Sequence, residues 1–306
     1  MFEKRYLDQV GILLNILPLL NKYKDFAIKG GTAINFFVFE APRLSVDIDL
    51  CFLPIKTREQ TFIMINEAMS GLEEEINRRF PGYSVNRNKT RNTNVYKLTI
   101  SNNQGVIKIE PNELLRGSVN KPISMKIKKE IARIFNLYPE VQVLSVADLF
   151  GGKICAALDR QHPRDLFDIC MMFRNNLFSE EIRKAFLVYL IQSNRPISEL
   201  LHPNKIDIKL VFERDFIGMV GENISLDLLY ETREQLIKSI RSTLTDDEKN
   251  FLLSVKRGEP EWHKLGIGDF SHFPGVKWKI LNIKKMNKRK RIEAYKKLEK
   301  VLAFFN

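Results

Sequence analysis

The spacing of apolar residues changes near residue 140 of this chain. Before that point, alternating runs such as LSVDIDLCFL and VYKLTI predict strands, and amphipathic helical patterns lie between them. From Ser145 onward a spacing of three and four dominates and predicts helices. A chain of 306 residues also exceeds the usual size of a single hydrophobic core. We therefore predict an α/β (α+β) lobe over residues 1–140 and a mainly α-helical lobe over residues 141–306.

Basic residues are concentrated at the end of the chain. The 49 Lys and Arg against 37 Asp and Glu give a formal net charge of +12. Such an excess favours a polyanionic partner, foremost a nucleic acid. Residues 277–300 hold eleven of the basic residues and only two acidic ones, Glu293 and Glu299. The candidate RNA contacts in this stretch are Lys284, Lys285, Lys288, Arg289, Lys290 and Arg291.

The overlapping run KKMNKRKRIEAYKKLEKVLAFF has the apolar spacing of a helix. A stripe opposite the Lys/Arg face predicts a docked helix that presents its charge to phosphates. The stripe consists of Ile292, Tyr295, Leu298, Leu302 and Phe305. A basic amphipathic helix can also lie on a membrane or be simply solvated. RNA is the favoured partner, and no membrane partner is expected because no apolar stretch approaches the roughly 20 residues that span a bilayer.

The cysteines indicate a reducing compartment. Cys51, Cys155 and Cys170 are odd in number, lie in apolar runs and have no metal-like spacing. These features predict buried, reduced thiols. A reducing cytosol suits such thiols, so we expect a cytoplasmic protein.

Local patterns place the elements of the first lobe. An amphipathic N-terminal helix is broken at Pro18, and FAIKGG predicts a short buried strand that ends at its glycine pair. A helix is predicted over residues 33–41 and a charged amphipathic helix over residues 57–80. The runs VYKLTI and VIKIE on either side of SNNQG predict a β-hairpin.

Two aspartates alternate with apolar residues on a predicted strand whose other residues are typical of a hydrophobic core. Side chains alternate faces along a strand, so Asp47 and Asp49 share one face while Ile48 and Leu50 share the other. Like charges on one face repel, and aspartate is disfavoured in strands. A divalent metal placed between the carboxylates removes the conflict, and Mg²⁺ prefers a few carboxylates together with substrate phosphates. An exposed edge strand with two solvated carboxylates is the structural alternative.

A glycine pair precedes the predicted helix 33–41. Gly30, Gly31 and Thr32 lie where free backbone N–H groups and the helix dipole attract a phosphate, and glycine allows close approach of the backbone. Most glycine pairs are merely turns. The neighbouring aspartates favour the functional interpretation, because a triphosphate and a metal would then meet.

A third carboxylate is expected if two metal ions bind. Glu110 ends the predicted strand VIKIE and is the candidate third ligand, provided that its strand neighbours the one bearing Asp47. A solvated glutamate at a strand end is the alternative.

Charged residues also cluster at a helix junction in the second lobe. Lys153 lies on a helix opened by a capping box, and Pro163 suits the first position of the next helix. Arg164, Asp165 and Asp168 then fall in the opening turns of that next helix. A lysine here would neutralise a triphosphate or pyrophosphate, and an aspartate would hold the lysine or orient an attacking hydroxyl. Ordinary salt bridges in a helical hairpin are the alternative.

Three motifs together carry a family resemblance. KGGTAINFF, RLSVDIDL and GGKICAALDRQHPRDLFDI resemble the AbiEii-type nucleotidyltransferases, which are toxins of type IV toxin–antitoxin and phage-exclusion systems related to the mycobacterial MenT toxins. The resemblance spans residues 28 to about 170 and reaches VKWKILNI more weakly. It implies a DNA polymerase beta-like catalytic core.

The resemblance implies roles for individual residues. The set around the nucleotide triphosphate would comprise Lys29, Gly30, Gly31, Thr32, Ser45, Arg164 and Asp168. Asp47 and Asp49 would bind Mg²⁺, with a two-metal site expected and Glu110 in the place of the broader fold's third carboxylate. Lys153 and Asp165 would complete the catalytic set from the second lobe.

The implied reaction is attack by an RNA 3′ hydroxyl on the α-phosphorus of a nucleoside triphosphate (NTP), with release of pyrophosphate. By resemblance the acceptor is the 3′ end of tRNA, whose modification would block translation, and a cognate antitoxin is the protein partner. Two rival functions stay open: a small-molecule, antibiotic-type nucleotidyltransferase, and a non-catalytic RNA- or antitoxin-binding module on a decayed transferase core.

Overall fold

The structure, a computed structural model of the chain, describes residues 2–89 and 95–303. Phe305, predicted to belong to the C-terminal apolar stripe, lies outside the described residues. The chain divides into two compact units. Unit 1 consists of Met1–Leu149 and Glu213–Ile224, and unit 2 of Phe150–Phe212 and Ser225–Asn306. The lobes predicted over residues 1–140 and 141–306 stay a prediction of domain organisation.

Unit 1 contains a mixed β-sheet with helices. Its elements are α1 Lys4–Ile16, β1 Phe26–Lys29, α2 Gly30–Ala33, β2 Asp47–Phe52, α3 Arg58–Arg79, β3 Ser84–Lys89, β4 Tyr96–Asn102, β5 Gly105–Asn112, β6 Ile123–Lys126, α4 Lys129–Phe135 and β7 Glu140–Val143. The described strands are ordered β3-β4-β5-β2-β1-β7-β6. The pairs β2–β5 and β1–β7 are parallel, and the others are antiparallel.

Three neighbouring strands of the sheet, β5, β2 and β1, share a buried apolar face. Ile28 of β1, Ile48 and Leu50 of β2, and Ile107 and Ile109 of β5 are each at most 1% exposed. Burying this face supplies the hydrophobic driving force for the sheet. The helix α3 begins at a capping box, in which Thr57 and Gln60 exchange side-chain and backbone hydrogen bonds. The predicted hairpin is confirmed as β4 and β5, which pair antiparallel around the SNNQG turn.

A distant segment completes unit 1. The backbone N–H of Leu44 donates to Met219 O at 2.7 Å, and Arg43 forms an isolated β-bridge with Val220. Glu3 N donates to Gly218 O at 3.2 Å. Residues 213–224 thus hold the stretch of chain that leads into β2.

The helix α5, Val146–Arg160, contains the chain boundary between the two units. The further helices are α6 Pro163–Arg174, α7 Glu180–Gln192, α8 Ile197–Leu201, α9 Lys209–Asp215, α10 Leu226–Thr243, α11 Asp246–Arg257, α12 Pro274–Lys285 and α13 Lys288–Ala303. In unit 2, α6 packs on α10, α7 on α12 and α11 on α13. Among the described residues, no helix is long and apolar enough to cross a membrane.

The cysteines are free thiols throughout the described chain. Cys51 and Cys170 are buried, whereas Cys155 is half-buried. Burial raises the pKa of the Cys51 thiol to about 11, which Lys29 opposes and Asp148 reinforces. Cys51 is therefore a protonated core residue at neutral pH.

Candidate functional site

The aspartate pair lies on a central strand of the sheet in unit 1. In β2 the alternating residues Ile48 and Leu50 are buried, whereas Asp47 and Asp49 are half-buried. Because alternate side chains point to one face, both carboxylates lie on the face opposite the apolar core. The exposed-edge alternative is excluded, since β2 pairs with β1 on one side and with β5 on the other.

Charged residues of the neighbouring strands flank this pair. Asp49 lies opposite Lys29 of β1 and beside Glu110 of β5, and Asp47 lies beside Lys108 of β5. Residues in register on adjacent strands present their side chains to the same face. The two lysines therefore lower the repulsion that two carboxylates on one face create, a contribution that the sequence pattern alone did not reveal.

The glycine pair packs directly against the carboxylate face. Gly30 has φ = +73°, in the left-handed region that favours glycine. A Cβ on Gly30 would overlap Asp49 Oδ2, and a Cβ on Gly31 would lie 2.6 Å from Arg43 Nη2 and 2.9 Å from Ser45 Oγ. Both glycines are therefore needed for the close approach of the backbone to these side chains.

The helix that follows begins earlier than predicted. Lys29 is its N-cap, the first turn is Gly30–Ala33, and a π-helical turn continues to Val38. The prediction of a helix over 33–41 was wrong in its bounds, because the positive φ of Gly30 lets the chain turn into the helix directly at the strand end. Phe39 returns to an extended conformation.

Buried hydroxyl groups join the glycine turn to the aspartate strand. Thr32 Oγ1 donates to the carbonyl oxygen of Asp47 at 2.5 Å and contacts Ser45 Oγ at 3.0 Å. Thr32 and Ser45 are 0% and 8% exposed. These contacts fix the turn relative to the start of β2.

Two further residues shape this region and were missed in the sequence. Arg43 is 2% exposed beside Gly31, with Nη1 donating to Leu44 O at 2.9 Å. Asn35 Nδ2 donates to Gly31 O at 2.9 Å. The position of Arg43 in RLSVDIDL, two residues before Ser45, was the available signal.

Glu110 lies within β5, two residues before the strand's end at Asn112, rather than at its end. It accepts a hydrogen bond from Lys97 Nζ at 2.8 Å, in a half-exposed ion pair. Within residues 2–89 and 95–303, no three His, Cys, Asp or Glu side chains form a group that could hold a metal ion. The carboxylates present are still the ligands that Mg²⁺ prefers, and substrate phosphates ordinarily complete its coordination.

Unit 2 contains a second charged cluster, which is buried. Lys153 Nζ lies 2.8 Å from Asp165 Oδ1 and 2.9 Å from Asp168 Oδ2. Arg160 Nε also contacts Asp165 Oδ2 at 2.5 Å. The side chains of Lys153, Asp165 and Asp168 are 6%, 1% and 0% exposed. The predicted helix junction is thus present, with Arg160 as an additional member.

The charges of the cluster determine the ionisation of Asp165. Burial acts to raise its pKa, but Lys153 and Arg160 outweigh burial and hold the pKa below its usual value. Asp165 is therefore ionised at neutral pH. Arg164 lies next to it in the first turn of α6, where its backbone N–H donates to the His162 N-cap at 3.1 Å.

The basic C-terminal stretch forms two helices rather than one. Lys284 and Lys285 end α12, and α13 begins at Lys288. Asn287 separates the helices, because its Oδ1 accepts a hydrogen bond from Lys290 N at 2.8 Å and so caps α13. The predicted single helix was wrong at this point. We call residues 284–291 the basic segment.

The predicted apolar stripe docks only in its C-terminal half. Leu298 and Leu302 are buried at 0% and 3% exposed, whereas Ile292 is 46% exposed. Tyr295 is half-buried. The start of α13, which carries the basic residues Lys288–Arg291, is correspondingly open to solvent.

The sequence matches a known protein family over residues 12–280. The family is described as "Nucleotidyl transferase AbiEii toxin, Type IV TA system". The chain belongs to the AbiEii family. The resemblance noted from the three motifs is confirmed, and the chain is a nucleotidyltransferase toxin of a type IV toxin–antitoxin system by family.

A solved structure supports the fold. The AbiEii chain is similar to MenT4, the nucleotidyltransferase toxin Rv2826c from Mycobacterium tuberculosis H37Rv, with a TM-score of 0.59 and 17% sequence identity. The similarity covers 90% of this chain and 92% of MenT4. No curated protein matches the chain. The predicted fold class, an α/β unit with a helical C-terminal part, is confirmed.

Proposed function

We propose that this AbiEii chain transfers nucleotides from an NTP to the 3′ end of an RNA, and that this end is the acceptor stem of tRNA. The observation that supports a nucleotide site most directly is the contact of Gly30 and Gly31 with Asp49, Arg43 and Ser45. It joins a turn suited to phosphates with a carboxylate pair suited to a divalent cation.

Asp47 and Asp49 would hold Mg²⁺, with Glu110 as the candidate for a further ligand. When bound, Mg²⁺ supplies Lewis acidity and charge neutralisation at phosphoryl oxygens. The carboxylates on one face of β2, next to Glu110, fit this role because their oxygens are hard ligands.

The chain's own groups would position the triphosphate. The backbone N–H groups of Gly30 and Gly31 at the start of the helix favour negative charge, and Lys29 and Thr32 flank them. Ser45 lies against Gly31 from the other side. In this proposal the turn binds the phosphates and holds the α-phosphorus for in-line attack by the RNA hydroxyl.

We assign Lys153 and Asp165 to the same reaction, with Arg164 and Asp168 as supporting residues. The motif that carries them is part of the family resemblance. Lys153 would neutralise charge on the triphosphate or the leaving pyrophosphate, and Asp165 would hold the lysine. The ion pairs of Lys153 with Asp165 and Asp168 support the second role.

The RNA acceptor is supported by the charge of the chain. The basic segment is largely exposed and would contact phosphates of the acceptor through Lys284, Lys285, Lys288, Arg289, Lys290 and Arg291. With tRNA as the target, the reaction would take place in the cytoplasm. The cognate antitoxin of the toxin–antitoxin pair would be the protein partner, and defence against phage a biological role.

The test is incubation of the protein with Mg²⁺, radiolabelled NTPs, total tRNA and an aminoglycoside as a small-molecule acceptor. We expect label on tRNA from the wild type, and a loss of about a hundred-fold or more in Asp47→Asn. Asp246→Asn is the matched control, because Asp246 has a 92% exposed side chain on α11. Label only on a small molecule such as an aminoglycoside would establish the antibiotic-type transferase instead. No label on any acceptor, with tRNA still bound, would establish the non-catalytic module.

A further inference from the structure

The outward face of α12 carries an exposed aromatic side chain. Trp278 is 58% exposed and Leu281, one helical turn on, is 43% exposed. Val276 and Ile283, on the opposite side of the helix, are 1% and 3% exposed and attach α12 to unit 2. A large apolar pair on the solvent side contributes nothing to this packing.

The sequence on either side of Trp278 is basic. The sequence of α12 contains four lysines and no acidic residue. Lys277, Lys284 and Lys285 are exposed, and within the described ranges none of them belongs to an ion pair. Lys288 and Lys290 continue the charge at the start of α13.

An exposed tryptophan on a lysine-rich helix matches the chemistry of an unpaired stretch of RNA. Unpaired nucleobases stack on aromatic side chains while the adjoining phosphates are bound by lysine and arginine. A duplex offers its bases only inside the stack, so a tryptophan side chain distinguishes single-stranded from paired RNA. An acidic protein partner would also use the lysines and an exposed tryptophan, which is frequent in protein interfaces. The polyanionic charge that the basic segment matches favours RNA, and the test below distinguishes the two partners.

We propose that Trp278 is a stacking site for an unpaired RNA base, with Leu281 beside it and the flanking lysines on the adjoining phosphates. This inference rests on the proposed RNA acceptor and names what part of it is recognised: a single-stranded stretch, such as the unpaired 3′ end of the acceptor. The contact gives affinity and does not take part in the chemical step.

The chain allows a direct optical test of the stacking. Its two tryptophans differ, because Trp262 is half-buried against Phe251 and Phe270 with ring centroids 5.1 and 5.8 Å away. Titration of the full chain with a single-stranded RNA heptamer is expected to quench tryptophan emission. The quenching is expected to be absent in Trp278→Phe and weak with an RNA duplex of the same length.

Affinity gives a second, independent measurement. Trp278→Ala is expected to weaken binding of the heptamer about ten-fold, the loss of one stacked base. Its slope of log affinity against log salt is expected to stay unchanged, because no cation is removed. Tyr138→Ala is the matched control, since Tyr138 is a 68% exposed aromatic of unit 1. Thermal melting of each variant verifies folding.

Unchanged quenching in Trp278→Phe, or unchanged affinity in Trp278→Ala, would overturn the stacking site. Retained RNA affinity together with lost antitoxin binding in Trp278→Ala would also overturn it and identify a protein surface. These outcomes are separate from the transfer reaction. Quenching by the heptamer without nucleotide transfer in the wild type refutes the proposed function alone. Nucleotide transfer in the wild type, together with unchanged heptamer affinity in Trp278→Ala, refutes the stacking site alone.

Discussion

The glycine turn at residues 30 and 31 has a steric function in addition to its proposed contacts with phosphates. Gly30 combines a left-handed backbone with a position that lies against the Asp49 carboxylate. Any β-carbon there displaces Asp49, whatever its chemical character. The orientation of the Asp49 side chain therefore depends on the absence of a Cβ atom at Gly30.

We expect Gly30→Ala to reduce nucleotide transfer severely, by about a hundred-fold, because Asp49 must move away from the new methyl group. The left-handed φ adds a stability cost of about 1–2 kcal/mol. Initial rates of label transfer and urea unfolding measure the two effects. Gly82→Ala is the matched control, since a Cβ on Gly82 meets no atom within 4 Å. Full activity in Gly30→Ala would refute the steric role.

The buried cluster of unit 2 allows a prediction about stability. Lys153→Met removes the cation that lies between Asp165 and Asp168, leaving buried carboxylates with less compensation. We expect a loss of about 3–5 kcal/mol in the free energy of unfolding. Lys205→Met, which removes a pair with both side chains at least 50% exposed, is expected to cost less than about 1 kcal/mol. Similar losses in the two variants would contradict the prediction.

The same cluster has a defined pH dependence. The pKa of Asp165 is lowered in the folded chain, so its contribution to stability is complete above the unfolded value of about 3.9 and is lost as the pH falls toward the folded value. The difference in unfolding free energy between wild type and Lys153→Met should therefore shrink below about pH 4. Urea titrations between pH 3 and pH 7 measure it, and a difference that grows on acidification would be the wrong sign.

The helix α5 carries two adjacent glycines in unlike surroundings. A Cβ on Gly151 would lie 2.8 Å from Phe186 N and 2.9 Å from Ala185 C, both backbone atoms of α7. A Cβ on Gly152 would meet no atom within 4 Å. The first glycine sets how closely α5 and α7 pack, and the second only weakens its own helix.

We therefore expect opposite effects of the same substitution at neighbouring positions. Gly152→Ala should stabilise the protein by about 0.5–1 kcal/mol through helix propensity. Gly151→Ala should destabilise it by about 1–3 kcal/mol, because the two helices are forced apart. Thermal unfolding of both variants provides the measurement, each serving as the control of the other. Equal shifts would mean that α5 and α7 do not pack as described.

The elements could be predicted from sequence where the signal is local. The hairpin β4–β5 and the helix α3 follow from alternation, from a glycine-containing turn and from a capping residue, all within a few positions. The break between α12 and α13 at Asn287 was not predicted, because the helical spacing of apolar residues continues across it. A single asparagine that caps α13 is enough to start a new helix there. The pairing of residues 213–224 with Arg43 and Leu44 could not be predicted, since it joins segments about 175 residues apart.

In the candidate site, too, the residues marked by a local pattern could be predicted and those brought in by distant segments could not. Asp47, Asp49 and the glycine pair are recognisable because they violate the preferences of a core strand within a short window. The neighbours Lys29 and Lys108 depend on strand order, which no local pattern specifies. Arg43 lies in the motif RLSVDIDL, but no local pattern marks its side chain as buried, and its burial beside Gly31 shows how it contributes to the site.

The net charge of +12 is unevenly distributed along the chain, and this has a measurable consequence for RNA binding. We expect weaker RNA binding when four lysines are replaced by Gln, namely Lys284, Lys285, Lys288 and Lys290. The slope of log affinity against log salt should become shallower by up to about three, because fewer RNA phosphates are neutralised and fewer counterions are released on binding. The control replaces four exposed lysines elsewhere, namely Lys24, Lys121, Lys209 and Lys238. Equal slopes for the two quadruple variants would show that charge acts without regard to position.

The late segment 213–224 also bears on when the toxin becomes dangerous to the cell that makes it. The backbone groups of Leu44 and Arg43, just ahead of the aspartate strand, find their partners in Met219 and Val220. A ribosome must therefore translate about three-quarters of the message before unit 1 can close around that strand. Translation that aborts earlier releases fragments that contain both aspartates but lack the segment that pairs with the chain just ahead of them.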